Sequence, residues 1–183
     1  LSRELELGVN FAPVIFYDGQ GMMVSKASNV KRISELEGAT IGVSAGTTTE
    51  LNLADQMEQR NLSYVPVVFE TPDELFSAYD AGRVDAVSAD RSALVSRMTT
   101  LKSPEKHVIL SESMSKEPLA PLVRHGDDHW YDVMCWVVYA TILAEELGIN
   151  SQNIDEIKKA SKDPVVKKFL GIERSEEHTS ELQ

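Results

Sequence analysis

The sequence predicts an α/β fold. Short β-branched or small-residue runs at 40–43, 64–69 and 85–89 alternate with stretches at 47–60, 72–81 and 92–98 whose apolar residues recur at helical spacing. Two of the helical stretches carry start signals: Thr47 with Glu50 three residues on, and Pro72 directly after Thr71. Such alternation implies a mostly parallel sheet with helices on its faces, where ligands bind beyond the carboxyl ends of the strands.

Taken in order, residues 2–7 can make one helical turn capped by Ser2, and Val9-Asn10-Phe11-Ala12-Pro13 leads to a polar turn at Asp18-Gly19-Gln20-Gly21. Met22, Met23 and Val24 read as a strand, and 33–37 as a short helix ended by Gly38. In 47–60, Leu51, Leu53, Ala54 and Met57 lie largely on one side. Pro66 lacks a ladder donor, which puts the strand 64–69 at a sheet edge or makes Pro66 part of a strand start. Leu75, Phe76 and Tyr79 give the next helix its buried side before Gly82 ends it. Beyond Asp90 and the helix at 92–98 come a strand at 107–110 and an extended piece at 118–124 containing Pro118 and Pro121. The longest helix follows Asp127-Asp128-His129-Trp130 and runs to Leu147, with further segments at 154–160 and 165–170.

With 183 residues, 42% hydrophobic and 26% charged, the chain has the composition of a globular protein able to bury a core. A formal net charge of −11 argues against nucleic acid or an anionic membrane as partner. Cys135 is the only cysteine, so neither an internal disulfide nor a cysteine metal cluster can form. The apolar run 133–144 is shorter than the roughly 20 residues of a membrane span and reads as a buried helix face. The chain starts at Leu1 rather than Met, so an upstream portion is expected. Residues 174–183 (RSEEHTSELQ) resemble the translation of a sequencing adapter and are set aside as a non-native tail, His178 with them.

The stretch 40–50, Thr-Ile-Gly-Val-Ser-Ala-Gly-Thr-Thr-Thr-Glu, reads as strand, tight turn and helix start, a site whose amides and dipole suit a carboxylate or phosphate. On this stretch alone, a plain capping role for Thr47 is favoured. Asp90 stands at a second strand end, so donors at Gly46-Thr47-Thr48 and a carboxylate at Asp90 could together hold a zwitterion; the alternative for Asp90 is another cap. Gly42-Val43-Ser44-Ala45-Gly46 matches the nucleophile elbow of serine hydrolases, yet the capping signals start the helix about three residues too late for one. His125, Asp127, Asp128 and His129 precede a long helix, where acidic residues act as caps more often than as metal ligands. Trp130, Trp136 and Tyr139 read as core, and Cys135 as an inert packed thiol.

Several of these features occur together in one family. Arg3, Val9-Asn10-Phe11-Ala12-Pro13, Leu36-Glu37-Gly38-Ala39-Thr40-Ile41-Gly42-Val43, Gly46-Thr47-Thr48 and Ala81-Gly82-Arg83-Val84-Asp85-Ala86 before Asp90 resemble the polar amino-acid-binding proteins of ABC importers. The general L-amino-acid-binding branch is most similar, sharing Tyr17-Asp18-Gly19-Gln20-Gly21, Thr47-Thr48-Thr49-Glu50-Leu51-Asn52-Leu53-Ala54-Asp55 and Glu117-Pro118-Leu119. The likeness runs from Leu1 to about Glu173.

The resemblance implies a type II periplasmic-binding-protein-like fold, α/β, with mixed sheets in two lobes. By it, 1–22 belong to lobe one, 23–123 form a complete lobe two, and 124–173 are C-terminal helices of lobe one, which is otherwise missing and so leaves apolar helix faces exposed. It implies an extracytoplasmic, periplasmic receptor, not an enzyme, that captures L-amino acids, passes them to an ABC transporter permease, uses no cofactor or metal and is a monomer when complete. Arg3 would grip the ligand α-carboxylate from lobe one, Thr48 and the amides after Gly46 would grip it from lobe two, and Asp90 would take the α-ammonium. Asp85 would be structural. The same fold also serves as the sensor of signalling receptors and as a dehydratase of amino-acid precursors, and these are the alternatives beside the serine hydrolase through Ser44.

Overall fold

The computed structural model describes residues 8–172. The helical turn expected at 2–7, Arg3 and the tail 174–183 lie outside the described residues. The chain divides into two compact units, Val14–Leu119 and Leu1–Pro13 with Ala120–Gln183.

Val14–Leu119 is built on a five-stranded sheet. Its spatial order is β5 (Val65–Phe69), β4 (Thr40–Ser44), β6 (Ala86–Asp90), β3 (Gln20–Ser25) and β7 (His107–Ile109). β4 is parallel to both β5 and β6, while β3 is antiparallel to both β6 and β7. Four strands therefore share one direction and β3 alone opposes them, so the mostly parallel expectation holds with one reversed strand in the interior of the sheet. β5, the strand containing Pro66, is an edge strand, as the missing proline N–H requires.

The polar turn expected at Asp18-Gly19-Gln20-Gly21 is mostly strand. Asp18 ends β2 (Phe16–Asp18), which pairs with β8 (Glu117–Leu119), and Gln20 and Gly21 already belong to β3. Only Gly19 interrupts, because Gln20 finds buried hydrogen-bond partners that no local rule anticipates. The boundary between the two compact units falls between Pro13 and Val14, and β3 is an interior strand of the Val14–Leu119 sheet.

The core follows strand alternation. Met22, Val24, Ile41 and Val43 pack on one face with Leu53 and Met57 of helix α1 (Thr48–Gln59). Met23 and Val87 pack on the other with Leu75, Phe76 and Tyr79 of α2 (Pro72–Asp80) and Leu94 of α3 (Arg91–Met98). Burying each such side chain contributes about 1.5–3 kcal/mol. Gly42 lets α2 approach β4: a Cβ there would sit 2.6 Å from Leu75 Cδ1. Asp85 is structural, accepting hydrogen bonds from the N–H and hydroxyl of Thr40 and so tying the approach to β6 to the start of β4.

In the other unit, β1 (Val9–Phe11) pairs with β9 (Leu122–Arg124), followed by α4 (Asp128–Glu146), α5 (Ile154–Ala160) and α6 (Pro164–Phe169). Asp127 caps α4 by accepting from Trp130 N–H at 2.9 Å. The expectation of a buried helix face at 133–144, with the aromatic residues as core, is not met. Val138 is the one buried residue of α4, whereas Trp130, Trp136 and Tyr139 are 51%, 71% and 51% exposed and Cys135 is half-buried. The described residues of this unit supply one two-stranded ladder and two short helices, too little apolar surface to cover a 19-residue helix. No helix among the described residues is long and apolar enough to cross a membrane.

Candidate functional site

At the carboxyl ends of β4 and β6 lies a cavity of about 270 Å³ within the Val14–Leu119 unit. Ser44, Thr47 and Thr49 line it from the β4–α1 turn, Pro72, Leu75 and Phe76 from α2, and Ser88, Ala89, Asp90, Ala93 and Arg97 from β6 and α3.

The turn is built by Gly46, whose φ of +65° few other residues adopt, and by Thr47. The Thr47 hydroxyl donates to Ser44 O at 2.8 Å and accepts from Glu50 N–H at 3.2 Å, so it caps α1 as its sequence pattern suggests. Glu50 does not complete a box with Thr47; its carboxylate accepts from Gly46 N–H at 2.8 Å, one residue earlier. The Gly46 amide is thereby committed. The donors left over are the amides of Thr47, the N-cap, and of Thr48 and Thr49, the first two helical residues, none of which has a carbonyl to bond within the helix. Thr47 and Thr49 are on the cavity wall, and Gly46 and Thr48 are exposed in the same turn but off the wall.

Asp90 occupies the N-cap position of α3, but its side chain makes no capping hydrogen bond. Asp18 does that work. Its carboxylate accepts from the N–H of Ser92 at 3.3 Å, from the Ser92 hydroxyl, and from Gly19 N–H at 2.8 Å, while Gly19 O accepts from Arg91 N–H at 2.9 Å. These residues, distant in sequence, satisfy the start of α3 and leave the Asp90 carboxylate free at the cavity wall. Burial, and then the negative charges of Glu117 and Asp18, push the Asp90 carboxyl above the usual carboxylate range. Asp18 goes the other way: burial would raise it, but the hydrogen bonds from Ser92, Gly19 and Arg91 together hold it low.

A buried amide fixes the two strand ends relative to each other. Gln20 Nε2 donates to Thr49 O at 3.0 Å and to Ser88 Oγ at 2.8 Å, and Gln20 Oε1 accepts from Asn52 Nδ2 at 2.7 Å. The first turn of α1 is thus tied through β3 to β6. Sequence reading missed Gln20 as a positioning residue, along with Asp18, Thr49 and Arg97; each acts through a partner that only the sheet register or helix packing supplies.

Chemically, the cavity offers hydrogen-bond donors and positive dipole at one edge and an uncompensated carboxylate at the other, a pairing suited to a zwitterion. It is not a nucleophile elbow. Ser44 ends β4 and the helix starts four residues on, at Thr48. His107 Nδ1 pairs with the Tyr79 hydroxyl at 2.7 Å. No group of three or more metal-ligating side chains occurs among the described residues.

The sequence profile of the NMT1/THI5-like family matches residues 9–112. The chain is 55% identical over 173 residues to the general L-amino acid-binding periplasmic protein AapJ of Rhizobium johnstonii, covering 94% of this chain and 50% of that one. It is 44% identical over 172 residues to the glutamate/glutamine/aspartate/asparagine-binding protein BztA of Rhodobacter capsulatus, covering 94% and 51%. A solved periplasmic binding protein from Brucella ovis with glutathione bound superposes with a TM-score of 0.85 at 44% identity, covering 95% of this chain and 55% of that one. The chain thus spans about half the length of the curated relatives it matches. The fold is that of periplasmic binding proteins, and the likeness to amino-acid-binding proteins of ABC transporters stands on these relatives, which are named as binding proteins and not as enzymes.

Proposed function

This chain belongs to the NMT1/THI5-like family, and from that premise we propose that it is the greater part of one lobe, with pieces of a second, of a periplasmic solute-binding protein. That protein captures L-amino acids and hands them to the membrane permease of an ABC transporter, with no catalytic step. The observation that carries the reading is the Asp90 carboxylate, free of any capping hydrogen bond at a strand end and facing the same cavity as the start of α1.

Asp90 receives the ligand ammonium, whose positive charge offsets the repulsion from Glu117 and Asp18. The α-carboxylate lies at the N-terminus of α1, where the Thr48 and Thr49 amides and the helix dipole favour an anion. Thr47 and Gly46 shape this turn, with their own polar groups largely engaged in it. By the resemblance, Arg3 is the second candidate for holding the carboxylate. In a receptor of two lobes, a ligand held by both shifts an open-to-closed equilibrium, and the closed form is what a permease can recognise.

Calorimetric titration with a panel of L-amino acids tests this. Asp90→Ala and Arg3→Ala are each expected to weaken binding of every amino acid alike, by about 2–5 kcal/mol, since each leaves a charged group unpaired. Undiminished affinity in either variant contradicts the assignment of that residue.

A further inference from the structure

The cavity has a second charged end that the zwitterion does not use. Among the described residues, Arg97 is the only cationic side chain on its wall. It follows Asp90 by seven residues along α3, two turns or about 10 Å of rise, so both side chains leave the same side of the helix. The guanidinium lies over the Phe76 ring, 5.5 Å from its centroid, and Arg97 Nη1 is 2.6 Å from Asp73 Oδ1. Pro72, Leu75, Phe76, Ala89 and Ala93 give the wall its apolar part.

We propose that Arg97 reads the side chain of the bound amino acid, and that it favours ligands carrying a second carboxylate. This rests on the amino-acid reading given above. With ammonium at Asp90 and α-carboxylate at the start of α1, the side chain crosses the apolar wall toward Arg97. Stacking on Phe76 holds the guanidinium in place, while one contact to Asp73 leaves most of its five N–H donors available for a bidentate grip. Asp73 is a weak competitor, because its side chain is 82% exposed and the pair is screened. Without Arg97, the field of Asp90, Glu117 and Asp18 in a chain of net charge −11 would disfavour an acidic side chain.

The test is titration of the chain with L-glutamate and L-glutamine, followed by amide shifts in NMR spectra that register millimolar binding. Wild type should bind glutamate more tightly. Arg97→Gln should weaken glutamate roughly ten- to hundredfold, the range of a lost charge-assisted hydrogen bond, and weaken glutamine, whose neutral side-chain carbonyl accepts less strongly from the same guanidinium, distinctly less. Arg97→Lys, which keeps the charge but loses the fork, should recover part of the glutamate affinity. Equal loss for both ligands, or no loss for glutamate, overturns the inference and leaves the amino-acid reading intact. Failure of wild type to bind either ligand, or binding indifferent to Asp90→Asn, overturns the amino-acid reading and this inference with it.

Discussion

Two helices of the Val14–Leu119 unit start at neighbouring strand ends and face one cavity, yet their starts are built differently. α1 is capped by its own Thr47, whose hydroxyl is used on both sides, whereas the residue in the equivalent place before α3, Asp90, caps nothing. The task has moved to Asp18, at the end of β2 just before β3, the strand that pairs with β6. A carboxylate at a helix N-terminus is ordinarily explained by the cap it makes. When a second carboxylate takes the cap, the first is left with desolvation and repulsion and no local compensation, which is the condition of a group waiting for a cation.

The largest expected effect separates the two starts outright. Asp90→Asn should cost about 2–5 kcal/mol of amino-acid binding while leaving the thermal midpoint unchanged or raised, because it relieves repulsion by Glu117 and Asp18. Loss of stability in this variant would show that Asp90 is a structural cap after all. Next, Gln20→Leu removes the hydrogen bonds to Thr49 O and Ser88 Oγ and one of the two acceptors of Asn52 Nδ2, which keeps Met114 O; it should destabilise by about 1–3 kcal/mol in all and weaken binding too, since Gln20 then no longer ties α1 to β6. Denaturant unfolding and titration of the same sample read both effects.

Smaller effects should follow from the caps themselves. Thr47→Ala and Asp18→Ala should each destabilise by about 0.5–2 kcal/mol. They differ in what comes after: Asp18→Ala opens the start of α3 to Asp90, so the freed carboxylate can turn to cap it and ligand affinity falls. Asp18→Ala with full affinity would break the idea that Asp18 keeps Asp90 free. The smallest effect is on pH. Asp90 holds its proton to higher pH in the folded chain than in the unfolded one, so the folded state binds more protons between those two values and stability falls as pH rises through that window. Asp85, held low first by the Thr40 hydroxyl, works in the opposite sense: its stabilisation is present above the unfolded value and lost as pH falls through the folded one. The wild-type minus Asp90→Asn difference in unfolding free energy isolates the first, and should become less favourable to wild type with rising pH. Ligand affinity should rise over the same window, as the carboxylate that meets the ammonium ionises.

Local chemistry explains why some of this was legible in the sequence. Thr47, Thr71 with Pro72, and Pro66 act on their own neighbours, and each is found in the role its pattern predicts: cap, cap with proline at the first helical position, and edge strand. Asp90 was legible as a strand-end carboxylate, but not as an uncapped one, because Asp18 and Ser92 are 74 residues apart and meet only through the sheet. Gln20 was hidden in a polar tetrapeptide that looks like a turn until β3 pairs with β6. Arg97 gave no sign at all, since a lone arginine on a helix is ordinarily solvent-facing and its place depends on how α2 packs beside α3. The aromatic residues of α4 were misread for the converse reason: helical periodicity tells which side is apolar, and nothing in it tells whether a partner surface is at hand.

The central claim is that the two strand ends hold one zwitterion. Backbone amide shifts recorded while L-glutamine is added, and again with N-acetyl-L-glutamine, whose amine carries no charge, measure this directly. The free amino acid should shift the amides of Thr48, Thr49 and Arg91 together along a single binding curve, and the acetylated one should leave them in place. Equal shifts with both compounds, or shifts confined to one strand end, would contradict it.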